Sequence, residues 1–143
     1  MSFEDLADDW PQTPLTEPTH VADVLDLLVT DASRALGAIY VVLCDSQDRM
    51  LQPCAVDGPP AACDNDTREQ MFRPFVEALA THEPNGAVLV ALARPDGLEV
   101  TAEDRAWQQA AMRVCARAGI RLLGLHVVTR HGSREVPPGN RAA

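Results

Sequence analysis

The chain is predicted to be a three-layer α/β domain, with a four-stranded mixed sheet and helices on both faces. Three observations carry that expectation. Two near-continuous apolar runs, "AIYVVLC" (38–44) and "AVLVALA" (87–93), have the length and composition of strands covered on both faces. Three segments, 19–36, 67–82 and 101–118, repeat apolar residues at helical spacing. With 143 residues, 46% of them hydrophobic, the chain has material for one core and little for two.

Residues 1–18, "MSFEDLADDWPQTPLTEP", mix prolines with acids and show no sustained periodicity, which predicts a flexible acidic arm. The domain proper is expected over 19–136. In its first helix Val21, Val24, Leu25, Leu28, Ala32, Ala35 and Leu36 share a face, and Gly37 stands where a C-cap belongs. The strand 38–44 follows, then the polar turn "DSQDR" and a returning strand, 50–56. Pro53 cannot donate to a ladder and pushes this second strand to an edge or a bulge.

A loop over 57–66 leads to the helix 67–82, whose apolar side carries Met71, Phe72, Phe75, Val76 and Leu79. The strand 87–93 runs through a Pro-Gly turn into the helix 101–118, with Trp107, Ala110, Ala111, Val114, Cys115 and Ala118 on one side and Gly119 at its end. The last strand is 120–129, and 137–143 reads as a disordered tail.

Composition excludes several classes. No apolar run reaches the ~18 residues of a membrane span. The acidic N-terminus is unlike a secretory signal and points to the cytoplasm. All twelve basic residues are arginine, and the net charge is −9, which repels phosphate backbones and argues against nucleic acid as a partner. The charge is uneven: residues 1–70 carry fourteen acids against three arginines, and residues 71–143 carry seven acids against nine. Cys44, Cys54, Cys63 and Cys115 form no C-x-x-C pair, so Cys44 and Cys115, in apolar periodic segments, read as small buried hydrophobes. G-x-S-x-G, G-x-x-x-x-G-K-[ST] and G-x-G-x-x-G are all absent from the sequence.

Three pieces in order, "YVVLCDSQDRML", "GAVLVALARPDGLEVTAED" and "AGIRLLGLHVVT", resemble the JAMM/MPN (JAB) superfamily in its RadC-like branch. That family has a hairpin, a strand running into H-x-H-P-S-G-D-P-x-P-S-x-x-D, a helix, and a strand beginning G-I-x-L-L-D-H. The resemblance spans roughly residues 20–136 and implies a JAB fold, with the helix–strand layout shared by zinc deaminases. It also implies a single zinc held by two histidines and an aspartate, with an upstream glutamate activating the bound water. Carried over residue by residue, the first histidine position falls at Leu92 and the second at Arg94. Pro95 and Gly97 are kept, Asp96 takes the serine position, Asp104 corresponds to the ligand aspartate, and the glutamate position lies near Gly37. Leucine has no donor atom, and a guanidinium repels a dication. The resemblance therefore implies a degenerate site with no metal and no other cofactor, and no isopeptidase or protease chemistry. The deaminase motifs H-x-E and P-C-x-x-C are missing too.

The remaining candidates have structural readings beside the functional ones. Thr101-Ala-Glu-Asp104 reads as a helix N-cap with an acid in the first turn, and removing Asp104 is expected to cost less than removing Thr101. Arg94 is either an anion or ligand contact beside a helix N-terminus or the internal partner of Asp96, Glu99 or Asp104, and the internal pair is preferred. His126 reads as a core or face histidine, and Trp107 as packing over the 95–100 loop. Trp10 has no obvious core to join. Phe3, Leu6 and Trp10 lie at i, i+3 and i+7, so a short helix formed on contact would present all three to a partner.

The expected function is a non-catalytic, JAB-like protein-interaction or regulatory module, whose partner is another protein or a second copy of the chain. The alternatives are a small-molecule or anion sensor built on the 94–104 turn, and a divergent hydrolase using Asp96, Asp104 and His126.

Overall fold

The computed structural model describes residues 9–58, 63–95 and 97–138. After a 3-10 turn at Trp10–Gln12 come α1 (Pro18–Leu28), α2 (Asp31–Leu36), β1 (Ala38–Cys44), β2 (Met50–Asp57), α3 (Asn65–His82), β3 (Ala87–Ala93), α4 (Ala102–Ala118), β4 (Arg121–Thr129) and β5 (Gly132–Glu135). The sheet is mixed, in the order β2-β1-β3-β4-β5. β1 runs antiparallel to β2 and β3, β3 runs parallel to β4, and β4 runs antiparallel to β5. The sheet has five strands where the sequence suggested four. Pro53 sits on β2, an edge strand, as its missing N–H requires.

The central strands alternate between two cores. On one face Ile39, Val41, Val88, Val90 and Leu92 meet Phe72, Val76 and Leu79 of α3 and Trp107, Ala110, Ala111 and Val114 of α4. On the other, Tyr40, Val42, Leu89 and Ala91 meet Val21, Val24 and Leu25 of α1. Period-2 alternation delivers both sets from unbroken apolar sequence, because both faces of β1 and β3 are covered. In β4 a register shift opposite Val88 and Leu89 changes the phase, so that Leu122 and Leu125 both serve the α3/α4 face. Cys44 and Cys115 are buried free thiols, and burial raises both to about 12, far from the thiolate.

Three expectations need correction. The helix over 19–36 is two helices. Val29 and Thr30 are extended, and the Thr30 hydroxyl accepts from the Ser33 amide at 3.0 Å, so a local cap competes with helix continuation. Tyr40 fixes that break: its hydroxyl lies 2.8 Å from Ser33 Oγ and accepts from the Thr30 amide at 3.3 Å.

The fifth strand, β5, was hidden because "GSRE" is short, polar and on an edge, with no apolar alternation to read.

The described part of the expected arm, residues 1–18, is folded from Trp10 onward. Leu15 is 2% exposed in the α1-side core, its amide donating to the Asp48 carbonyl at 2.8 Å, and Trp10 packs on the same core. Of the predicted tail, Pro137 is held through its carbonyl by Gln108 Nε2 at 3.1 Å. No helix among the described residues is long and apolar enough to cross a membrane.

Candidate functional site

The 94–104 turn joins β3 to α4. Leu92 projects from β3 into the α3/α4-side core, and Arg94, two residues on, leaves the strand with its amide bonded to the Val128 carbonyl at 3.1 Å. At the far end of the turn α4 opens with a reciprocal capping box. The Asp104 amide donates to Thr101 Oγ1 at 3.1 Å, and the Thr101 amide donates to Asp104 Oδ2 at 2.8 Å. Residues from both ends line one cavity of about 140 Å³, among them Ile39, Leu92, Arg94, Thr101, Asp104 and Trp107.

Arg94 crosses that turn. Its guanidinium is paired with Asp104 through Nη1, donates to the Gly97 carbonyl at 3.2 and 3.4 Å, and donates from Nη2 to the Glu99 carbonyl at 2.5 Å. Asp104 is 2% exposed. Its carboxylate therefore meets a fixed cation on one oxygen and a backbone N–H on the other, so both of its strong acceptor roles are filled. The internal-partner reading of Arg94 is the arrangement found. Four of its five N–H donors are thereby committed within the turn.

Trp107 lines the cavity from α4. Phe72 meets it edge-on with centroids 5.7 Å apart, and the Arg68 guanidinium lies over its ring at 5.9 Å. Arg68 is itself held by both oxygens of Glu103, at 2.8 to 3.2 Å, and by Asn65 Oδ1 at 2.8 Å. Leu98 and Val100 pack on the same core, as the sequence anticipated for the loop beside Trp107.

The donor set does not suit a zinc ion. Leu92 offers no ligand atom, Arg94 brings positive charge, and Asp104 is already engaged. No group of three or more histidine, cysteine, aspartate or glutamate side chains among the described residues is arranged to hold a metal ion. Asp96, Phe3 and Leu6 lie outside the described residues. Trp10 is partly buried against the chain's own core, which corrects its reading as an aromatic without a core to join.

His126 is not beside the turn's carboxylate. On β4 it pairs across the sheet with Glu135 of β5, and burial lowers its pKa to about 4, keeping the imidazole neutral. A Cβ at Gly124 would meet His126 Nε2 at 3.3 Å and Glu135 Oε2 at 3.1 Å, so a side chain there would press both groups aside by a few tenths of an ångström. The hydrolase set of Asp96, Asp104 and His126 is accordingly not assembled from its two described members.

Sequence reading missed a second charged cluster, on the outer side of α3 and α4. Glu69 accepts from Arg113 Nε at 2.8 Å and from Arg117 Nη1 at 2.6 Å, with Arg73 at 3.9 Å. Arg113 first, then Arg117, hold the Glu69 carboxyl below the usual carboxylate range. The i, i+4 spacings of Glu69 with Arg73 and of Arg113 with Arg117 were legible, but their meeting depends on how the two helices pack.

Among known proteins, no family model, curated protein or solved structure matches the chain.

Proposed function

We propose that this domain is a JAB-like frame whose metal position is closed from within by a guanidinium, and that it acts as a non-catalytic protein-interaction or regulatory module. The observation that carries the reading is convergence. The three positions at which the resemblance implies zinc ligands, Leu92, Arg94 and Asp104, line the same small cavity although they come from different elements. A frame that gathers these positions, and then fills them with an aliphatic chain and an arginine paired to the remaining aspartate, fits loss of metal chemistry with retention of the scaffold. The sheet order, with one parallel pair and helices on both faces, fits a three-layer JAB or deaminase-like layout. The setting that goes with this reading is cytoplasmic, and the partner is a protein.

The test is to return the ligands. Leu92→His with Arg94→His frees Asp104 and supplies two imidazoles, and the double variant is expected to bind one cobalt or zinc ion per chain with a rise in melting temperature. Wild-type protein is expected to contain no stoichiometric zinc and to melt identically with and without chelator. One zinc per wild-type chain, or a folded double variant indifferent to both metals, would overturn the reading.

A further inference from the structure

We infer that the groove between α3 and α4 is a docking surface for the acidic N-terminal segment, residues 1–8, of a second copy of this chain. The inference stands on the groove and does not depend on the metal-frame reading. The groove encloses about 310 Å³ and is lined by Arg73, Glu77, Ala80, Val114, Arg117 and Ala118. Apolar side chains of α3 and α4 line it together with Arg73, Arg117 and Glu77, and Arg113 and Glu69 stand alongside. Three arginines face two glutamates there, a local excess of positive charge in a chain whose net charge is −9. Arg73 and Arg117 keep 41% and 61% of their side-chain surface exposed, so their guanidinia have donors to offer a newcomer.

The occupant is chosen by complementarity. "MSFEDLAD" carries Glu4, Asp5 and Asp8 against no basic side chain. At 3.6 residues per turn, Phe3, Leu6 and Ala7 fall on one side of a helical turn and the three acids on the other. An amphipathic segment of this kind lays its apolar side on a groove floor and its charges against the rim. Phe3 and Leu6 would meet Ala80, Val114 and Ala118, while the acids face Arg73, Arg113 and Arg117.

Reach favours a second molecule over the segment's own chain. Trp10 and Leu15 tie the start of the described chain to the α1 side of the sheet, whereas the groove opens on the outer side of the opposite helices. Eight extended residues span at most about 28 Å. Crossing the sheet edge and a helix roughly 10 Å thick consumes most of that length before any residue lies in the groove.

Sedimentation of the full-length chain over a range of concentrations and salt tests the inference. Reversible self-association is expected, weakening as salt screens the ion pairs. Arg73→Glu with Arg117→Glu is expected to weaken it by about tenfold or more, and so is the arm variant Glu4→Arg, Asp5→Arg, Asp8→Arg. An equimolar mixture of the two variants is expected to recover association, since each supplies the charge the other lacks. The arm variant alters none of the residues that line the groove, so it remains decisive should the groove variant fail to fold. A chain monomeric at every concentration, or association that survives either set of reversals, would overturn the inference.

Discussion

Arg94, at the end of β3, and Arg117, near the end of α4, each meet a carboxylate that is almost wholly covered. Asp104 keeps 3% of its side-chain surface and Glu69 keeps 10%. The arginines differ in what remains to them. Arg94 is 20% exposed and its other hydrogen bonds go to the carbonyls of its own turn, whereas the Arg117 side chain is 61% exposed and its guanidinium is held, among the described residues, by Glu69 alone. The same side chain is therefore structural material at one site and an offered surface at the other. What separates them is the number of donors the fold has already consumed, which the type of residue does not reveal.

The largest expected effect breaks the closed site. Asp104→Ala leaves the Arg94 guanidinium largely buried without its counter-ion and strips the capping box as well. Removing one partner of such a pair costs about 3–5 kcal/mol, so the variant should unfold at clearly lower denaturant concentration, read by circular dichroism. This reverses the order expected from sequence, in which Asp104 was the lesser partner of Thr101. Arg94→Leu should destabilise by a similar amount, and the double variant by less than the two single costs together, because both remove one coupled pair.

Next in size is a pH effect that neither arginine cluster produces. His126 has a folded pKa of about 4 against an ordinary value near 6.5. Between those values the unfolded chain takes up a proton that the folded chain refuses. Stability is therefore fully present above pH 6.5, falls on acidification through this window, and levels off, for this group, below pH 4. The loss amounts to at most about 3 kcal/mol. Urea melts from pH 7.5 to 4.5 on wild type and His126→Gln separate it from the carboxylates. The difference between the two proteins should change with pH chiefly between 6.5 and 4.5, and a constant difference would mean that the histidine is not desolvated.

Thr101→Ala comes third, at about 1 kcal/mol, the ordinary cost of an N-cap. It sharpens the comparison because it opens the capping box while leaving the Arg94–Asp104 pair in place. A loss as large as that of Asp104→Ala would show that the cap, and not the ion pair, closes the turn.

What was legible in the sequence follows the range of the interaction. The capping residues Thr101 and Asp104 lie three apart, so their partnership could be read locally. The unbroken apolar runs at 38–44 and 87–93 announced strands covered on both faces. Leu15 could not be placed, because its burial goes with a hydrogen bond from its amide to the Asp48 carbonyl, thirty-three positions away, and with α1 packing in the same core. β5 escaped because its pairing with β4 is dictated by a turn, with Gly132 at a φ of 122°, and not by apolar alternation. The Arg94–Asp104 pairing was foreseen as one of several options. That it also captures the Gly97 and Glu99 carbonyls, which closes the site, is a property of the folded turn.

The smallest expected effect lies in the open cluster. Glu69→Gln keeps the shape of the side chain and removes the charge on which Arg73, Arg113 and Arg117 converge. Although Glu69 itself is covered, its three arginine partners reach into solvent, where ion pairs gain little from Coulomb attraction and hold long side chains at an entropic cost. The melting temperature at low salt should therefore fall only slightly. It should not differ from wild type in 1 M salt, where the screening length is roughly 3 Å. The interaction readout should move the other way. With the central carboxylate neutral, the three guanidinia present more positive charge to an acidic segment, so self-association should tighten while the fold loosens a little. A variant that weakens both together would mean that Glu69 organises the rim and that the arginines do not act as free donors.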